Sequence, residues 1–208
     1  MLTNPLLVVI SGPSGSGKDT LVKKLNETKK DMRISVSVTT RSPRPDEKDG
    51  KDYFFVSRTK FQQMIENGQL LEWDCFCDHY YGTPKENIEK NAGLGYDSFL
   101  VITTDGALKV KEKIPESILV FIMAPSFSEL ERRIRARGTE PEESIQKRLC
   151  KASREFKEAE RFDYVVINDE IQNAADLLDA IIKAEKADTK RNRDLLRQNM
   201  EVYASYDR

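Results

Sequence analysis

The stretch that most constrains this chain is Gly12 to Thr20, GPSGSGKDT, which follows the apolar run Leu6 to Ile10 and precedes LVKKL. An apolar run of strand length, a glycine-rich turn and a helical pattern together make the context in which a phosphate-binding loop forms. Gly12, Gly15 and Gly17 let the backbone turn tightly, and Pro13, Ser14 and Ser16 complete a loop whose N–H groups converge on an anion. A helix starting near Gly17 adds the positive end of its dipole. Lys18 stands where its ammonium reaches the outer phosphates of a nucleoside triphosphate. The stretch therefore predicts an ATP site.

The chain departs from G-x-x-x-x-G-K-[ST] at its last position, where Asp19 precedes Thr20. A carboxylate is a hard oxygen ligand, so Asp19 either binds Mg²⁺ (or one of its waters) or only complements the first helical turn.

A length of 208 residues suits one core with an inserted lobe, and a net charge of −1 gives no polybasic character for nucleic acid or an anionic membrane. The apolar runs are too short to span a bilayer, and no charged segment followed by a long apolar one opens the chain. A cytoplasmic protein, a monomer or homodimer, is expected. Cys75, Cys77 and Cys150 form neither a disulfide framework nor a paired zinc pattern and read as reduced, buried side chains.

The order of patterns predicts an α/β fold, a parallel sheet flanked by helices. Leu6–Ile10, Arg33–Val38, Tyr53–Val56, Leu70–Phe76, Ser98–Thr103, Ile118–Met123 and Tyr164–Ile167 read as strands. Thr39 to Lys51 is proline-rich and charged, a loop presenting side chains. Thr59–Asn67 reads as a helix with Phe61, Met64 and Ile65 inward and Gly68 at its end. Strands around a short helix between about Ser37 and Gly82 suggest a small mixed lobe inserted between parallel-sheet units. Ser126 with Glu129, and Thr139 with Glu142, fit capping boxes. The second helix would carry Ile145, Leu149, Ala152, Phe156 and Ala159 on one stripe, and a later one Leu177, Leu178, Ile181 and Ile182. Beyond Lys186 a helical extension or frayed tail is expected.

A second basic site follows the first. Arg41 and Arg44 flank Pro43, which stiffens the turn, so the two guanidiniums can grip one phosphate. Beside a triphosphate cradle this suggests a phosphorylated acceptor, to which Tyr53 and Tyr81 can offer hydroxyls.

The residues from Ser37 to Val56 (SVTTRSPRPDEKDGKDYFFV), then LEWDCF, HYYGTP and RARGTEPEESIQKRL, resemble the guanylate kinases in order and over nearly the whole chain. The resemblance implies transfer of the γ-phosphoryl of ATP to GMP or dGMP with Mg²⁺. The implied fold has a core (1–36, 93–125 and 163–185), a GMP-binding lobe (37–92) and a helical lid (about 126–162), with 186–208 as an extension. Ser37, Glu72 and Thr83 would face guanine, with Gly82 and Thr103 also in the GMP site, and Arg41, Arg44, Tyr53 and Tyr81 would hold its phosphate. Arg133, Arg137 and Arg148 would surround the migrating phosphoryl, with Gly138 as a hinge, Arg137 also covering adenine and Asn168 contacting its edge. Asn168 could equally cap a helix, and Arg132 and Arg135 read as solvated helix-face residues.

Chemistry supports the role of Glu72 independently. Guanine presents adjacent N1–H and N2–H₂ donors, so one carboxylate accepting both discriminates it from adenine. No general base is needed, because a phosphate monoester with a second pKa near 6 is largely dianionic at neutral pH. The sole histidine, His79, on the HYYG loop, is therefore not a catalyst.

Guanylate kinases usually carry acidic residues at the positions of Val101 and Thr103. Alternation puts Val101, Thr103 and Asp105 on one face, so Asp105 either takes over Mg²⁺ or guanine contacts, alone or with Asp19, or caps the helix beginning at Gly106. The phosphate loop also resembles that of the ribose 1,5-bisphosphate phosphokinases, and a non-catalytic guanylate-kinase-like binding module is the third reading.

Overall fold

The computed structural model describes residues 5–76, 78–136 and 141–203. The expectations for Cys77, Arg137, Gly138 and Thr139 lie outside these residues.

Along the chain, β1 (Leu7–Ser11) leads to α1 (Lys18–Thr28), β2 (Met32–Ile34), β3 (Val38–Thr39) and β4 (Phe54–Phe55). Then come α2 (Arg58–Glu66), β5 (Leu70–Phe76), β6 (His79–Pro84) and α3 (Lys85–Gly93). The sequence continues with β7 (Asp97–Val101), α4 (Thr104–Lys113), β8 (Ile118–Met123), α5 (Phe127–Arg135) and α6 (Glu142–Glu158). A 3₁₀ turn precedes β9 (Tyr164–Ile167), α7 (Ile171–Ala187) and α8 (Arg193–Tyr203).

Five strands form a parallel sheet in the order β2-β7-β1-β8-β9. Because β1 lies at its centre, alternate residues of LVVIS enter different cores. Val8 and Ile10 pack with Leu21, Val22 and Leu25 of α1 and Leu178 and Ile182 of α7. Val9 packs on the opposite face with Leu100, Ala107, Val110 and Leu119. This two-sided burial explains the continuous apolar run, and each such side chain contributes roughly 2 kcal/mol.

The second sheet, β4-β3-β6-β5, is mixed: β3 pairs parallel to β4, and β6 pairs antiparallel to both β3 and β5. Phe61 of α2, Val38 and Leu70 form its small core. Ala124, Leu130, Ile134, Ile145 and Leu149 tie α5 to α6 in another.

Several expectations change. The segment Arg33–Val38 is not one strand: β2 joins the parallel sheet and β3 the mixed one, so the chain crosses between sheets at Ser35 to Ser37. HYYG is no loop, since His79 begins β6 opposite Phe76. Helix α3 is additional to the expected pattern and buries none of its residues, which leaves no apolar stripe to read. Cys75 and Cys150 are exposed rather than buried. Leu177 points outward at 47% exposure, while Ala174 and Ala175 fill that face of α7 instead. Ser126 does cap α5 through Glu129 N–H, but the Glu129 carboxylate turns to Arg132 and Arg133 and closes no box. Helix α6 starts at Glu142 with Pro141 before it, a residue suited to a helix start because it has no N–H to leave unpaired. No helix among the described residues is long and apolar enough to cross a membrane.

Candidate active site

The loop between β1 and α1 sits at the C-terminal edge of the central strand, where the chain connections diverge and ligands bind in open α/β sheets. Gly12 has φ +135°, and a Cβ there would lie 2.0 Å from the Ile122 carbonyl oxygen, so only glycine lets the loop start against β8. Gly17 has φ +88°, and its Cβ would meet Asn168 Nδ2 at 2.3 Å. Lys18 Nζ donates to the Gly12 and Pro13 carbonyls at 2.6 and 3.0 Å, folding over the loop. Asp19 and Thr20 are exposed in the first turn of α1.

Asn168 is buried, and its side-chain Nδ2 donates to Ser16 O at 2.8 Å. It caps no helix, because Glu170 occupies the N-cap of α7. Its amide nitrogen instead clasps the glycine-rich loop from β9's end.

The mixed sheet presents the second cluster. Arg41 donates to Glu47 at 2.7 Å and lies 5.5 Å from the Tyr53 ring centre, with Tyr53 and Tyr81 edge-on at 6.0 Å. The Glu47 bond, followed by that of Tyr81, raises the Arg41 pKa despite its burial, and the Arg41 bond lowers that of Glu47. Arg44 is exposed; its backbone N–H, rather than its guanidinium, meets Glu47 at 2.8 Å. Burial raises the Tyr53 pKa, and the next cause is the charge of Asp19, which ties this cluster to the first turn of α1. Ser37 is half-buried, and its carbonyl holds Phe54 N–H at 2.9 Å.

Deeper in the same sheet, Glu72 is 4% exposed and accepts a 2.6 Å bond from the hydroxyl of buried Thr83, its neighbour across β5 and β6. Burial raises its pKa, against the pull of Thr83 and Lys109. Gly82 is buried beside them, with Leu70 and Phe61 leaving no slack for a side chain. A Cβ on Gly106 would lie 2.7 Å from Glu72 Oε2, so this carboxylate abuts the start of α4. Thr103 accepts from Gly106 N–H and donates to Asp74 Oδ2 at 3.0 Å. Thr103, not Asp105, therefore caps α4, and β7 ends at Val101, so the expected strand alternation does not reach Asp105.

Asp105 is exposed on α4 and lines a cleft of about 460 Å³ shared with Lys151, Arg154 and Glu155 of α6. Burial raises the Glu155 pKa, while Lys151 and Lys18 lower it, so α6 brings this carboxylate within the field of the loop lysine. Arg133 donates to Glu129 at 2.7 Å on α5, and Arg148 is half-buried on α6. Arg132 has an exposed side chain, whereas Arg135 bridges Glu131 and Glu142, joining α5 to α6. Among the described residues no group of three or more His, Cys, Asp or Glu could hold a metal.

Glu47, Asp74 and Glu155 escaped the reading of the sequence. Asp74 had a signal, being two residues beyond Glu72 on one strand face. Glu47 was hidden in a uniformly charged loop and Glu155 beside an apolar stripe.

The guanylate kinase family profile matches residues 4–185. The chain belongs to the guanylate kinase family. The guanylate kinase of Caldanaerobacter subterraneus subsp. tengcongensis is 53% identical over 190 residues, covering 91% of this chain and 92% of the relative. That of Desulfitobacterium hafniense is 51% identical, covering 89% and 93%. The crystal structure of guanylate kinase from Anaplasma phagocytophilum superposes with a TM-score of 0.79 at 35% identity, covering 96% of this chain and 97% of that one. The parallel sheet, the glycine-rich loop and the mixed sheet thus lie within one guanylate kinase fold.

Proposed function

We propose that this enzyme transfers the γ-phosphoryl of ATP to GMP or dGMP, giving ADP and GDP, in cytoplasmic purine nucleotide metabolism. A GMP phosphate oxygen attacks the γ-phosphorus as the bond to the β,γ-bridging oxygen breaks, and ADP leaves with that electron pair. The observation that carries the reading is the buried Glu72 carboxylate, which accepts from Thr83 across β5 and β6 and abuts the start of α4. A buried, acceptor-rich carboxylate suits the paired N–H donors of guanine and leaves an unpaired charge opposite adenine.

The loop N–H groups and Lys18 hold the ATP phosphates in this reading. Arg41 with Arg44, Tyr53 and Tyr81 grips the acceptor phosphate, and Ser37, Gly82, Thr83, Thr103 and Asp105 border its base. Arg133, Arg148 and Arg137 close over the transferring group as a lid (about 126–162), the lobe being 37–92. Asn168 spends one amide hydrogen on the loop and keeps its oxygen and its other N–H for the adenine edge. Mg²⁺ fits a carboxylate in the first turn of α1, so Asp19 would hold it, with Asp105 as the other candidate; when bound it neutralises charge on the β- and γ-phosphates.

An ADP-release assay comparing GMP, AMP, UMP and ribose 1,5-bisphosphate tests the reading. Strong GMP preference, abolished in Glu72→Ala, is expected. Equal turnover of AMP, or preference for the sugar phosphate, would exclude it.

A further inference from the structure

We infer that Asp74 is a second base-reading carboxylate, accepting from the guanine 2-amino group and supplied by β5 beside Glu72. This rests on the ATP:GMP reading and identifies how its acceptor site distinguishes closely related purines. Glu72 and Asp74 are alternate residues of one regularly paired stretch, opposite Thr83 and Tyr81, so they share a sheet face. Both reach the start of α4: Glu72 lies against Gly106, and Asp74 Oδ2 accepts from Thr103 Oγ1 at 3.0 Å. Thr103 thus spans the gap between the end of β7 and this face.

Guanine carries three N–H bonds along one edge, one on N1 and two on N2. A single carboxylate takes N1–H and one N2–H, which leaves the second amino hydrogen unpaired in a buried site. Asp74 is half-buried; its Oδ1 accepts only from the adjacent Cys75 N–H at 2.8 Å among the described bonds. Each ionised carboxylate oxygen has a further lone pair to offer. The charge of Asp74 also raises the Glu72 pKa, placing the two groups in one electrostatic site. A ligand edge with several adjacent donors relieves that repulsion, whereas an edge lacking the amino group leaves it uncompensated on the side of Asp74. Thr103, neutral where the family usually carries an acid, contributes its hydroxyl to orient Asp74, so negative charge reaches the base from β5 instead of from the end of β7.

The test compares kcat/KM for GMP with that for inosine monophosphate, which keeps N1–H and lacks the 2-amino group. Asp74→Ala is expected to lower the GMP value about tenfold or more and to leave inosine monophosphate unchanged, the loss of one charged hydrogen bond. Adding Thr103→Asp to Asp74→Ala should restore part of the preference by returning a carboxylate to the same gap. Asp74→Asn keeps the volume, removes the charge, and should lower the ratio several-fold; it decides alone if Asp74→Ala does not fold. A GMP-to-inosine-monophosphate ratio unchanged from wild type, or both substrates weakened equally, overturns the inference while leaving the GMP reading intact. Wild-type enzyme that does not prefer GMP to AMP overturns both.

Discussion

Thr83 donates its hydroxyl hydrogen to the Glu72 carboxylate at 2.6 Å from the facing strand, and both side chains are sealed from water. The bond favours the ionised acid, yet burial outweighs it and holds the Glu72 pKa above the ordinary 4.5. The folded chain therefore binds this proton more tightly than the unfolded chain. The stabilising share of that group is complete below pH 4.5 and is lost as pH rises through the raised value.

Glu72→Gln should accordingly gain stability relative to wild type at neutral pH, with the gap shrinking at pH 5, as read by urea unfolding midpoints at constant m. The same variant should lose about 100-fold in kcat/KM for GMP, since the amide presents a donor where the base needs acceptors. Wild-type GMP affinity should fall as pH drops through the raised pKa, in addition to the effect of phosphate protonation. Glu72→Gln should retain only the phosphate effect, and isothermal titration across pH 5 to 8 separates the two.

The glycine-rich loop separates steric from functional damage. Gly12→Ala forces a Cβ to 2.0 Å from the backbone oxygen of Ile122, in a left-handed conformation. Backbone cannot yield cheaply, so a loss of more than about 3 kcal/mol or failure to fold is expected. Gly17→Ala meets the end of the Asn168 side chain instead. That residue can rotate, at the expense of its bond to Ser16 O. Its stability loss should be smaller, about 1–2 kcal/mol, while the ATP KM rises about tenfold or more. Calorimetry with steady-state ATP titration distinguishes the two variants.

Elements are legible in this sequence where local pattern and tertiary placement agree. β1, β8 and α1 were legible because burial on both faces, or on one helical stripe, writes itself into composition. Guanine's chemistry together with flanking motifs singled out Glu72 as a candidate, and the fold buries that carboxylate against Thr83. The division of Arg33 to Val38 between two sheets was not, because an alternating run carries no mark of which neighbour each end will pair with. The Asp105 expectation failed as strand geometry because Thr103 turns the chain into α4 two residues earlier. Exposed Cys75 and Cys150 overrode the usual preference of free cysteine for the interior, since β5 turns Cys75 away from its core and α6 turns Cys150 toward the cleft.

The junction between β7 and α7 supplies a stability test remote from the nucleotides. Asp97 is 2% exposed, accepts Leu6 N–H at 2.9 Å and pairs with Lys186 at 2.7 Å, which in turn reaches exposed Asp31 at 3.0 Å. Asp97→Ala leaves the buried Leu6 N–H unmatched and strips the partly buried Lys186 ammonium of its buried partner, leaving it only exposed Asp31, for an expected loss of about 3–5 kcal/mol. Asp31→Asn should cost less than about 1 kcal/mol, because its carboxylate is already in water. Equal midpoints for the two variants in urea would show that burial does not set the strength of this network.

Glu47 offers the last prediction, because it binds the two residues that grip the acceptor phosphate in the proposed reading. One oxygen takes the Arg41 guanidinium and the other takes Arg44 N–H, so the carboxylate fixes the turn around Pro43 before any ligand arrives. A phosphate competes for the same guanidinium, but Arg41 has further donors and the aromatic rings of Tyr53 and Phe55 hold its plane. Removing Glu47 frees a donor while releasing the loop, and two opposing effects follow. Electrostatics alone would lower the GMP KM. Ordering the loop upon binding would raise it, at roughly 0.5–1.5 kcal/mol for each side chain to be immobilised. With both the Arg41 side chain and the Arg44 backbone released, the ordering cost exceeds that of one exposed ion pair. Glu47→Ala is therefore expected to raise the GMP KM about five- to tenfold with kcat nearly unchanged, the pattern of lost ground-state and transition-state binding in equal measure. A lowered KM would mean that Glu47 restrains Arg41 rather than presenting it, and steady-state kinetics at two salt concentrations decides the sign.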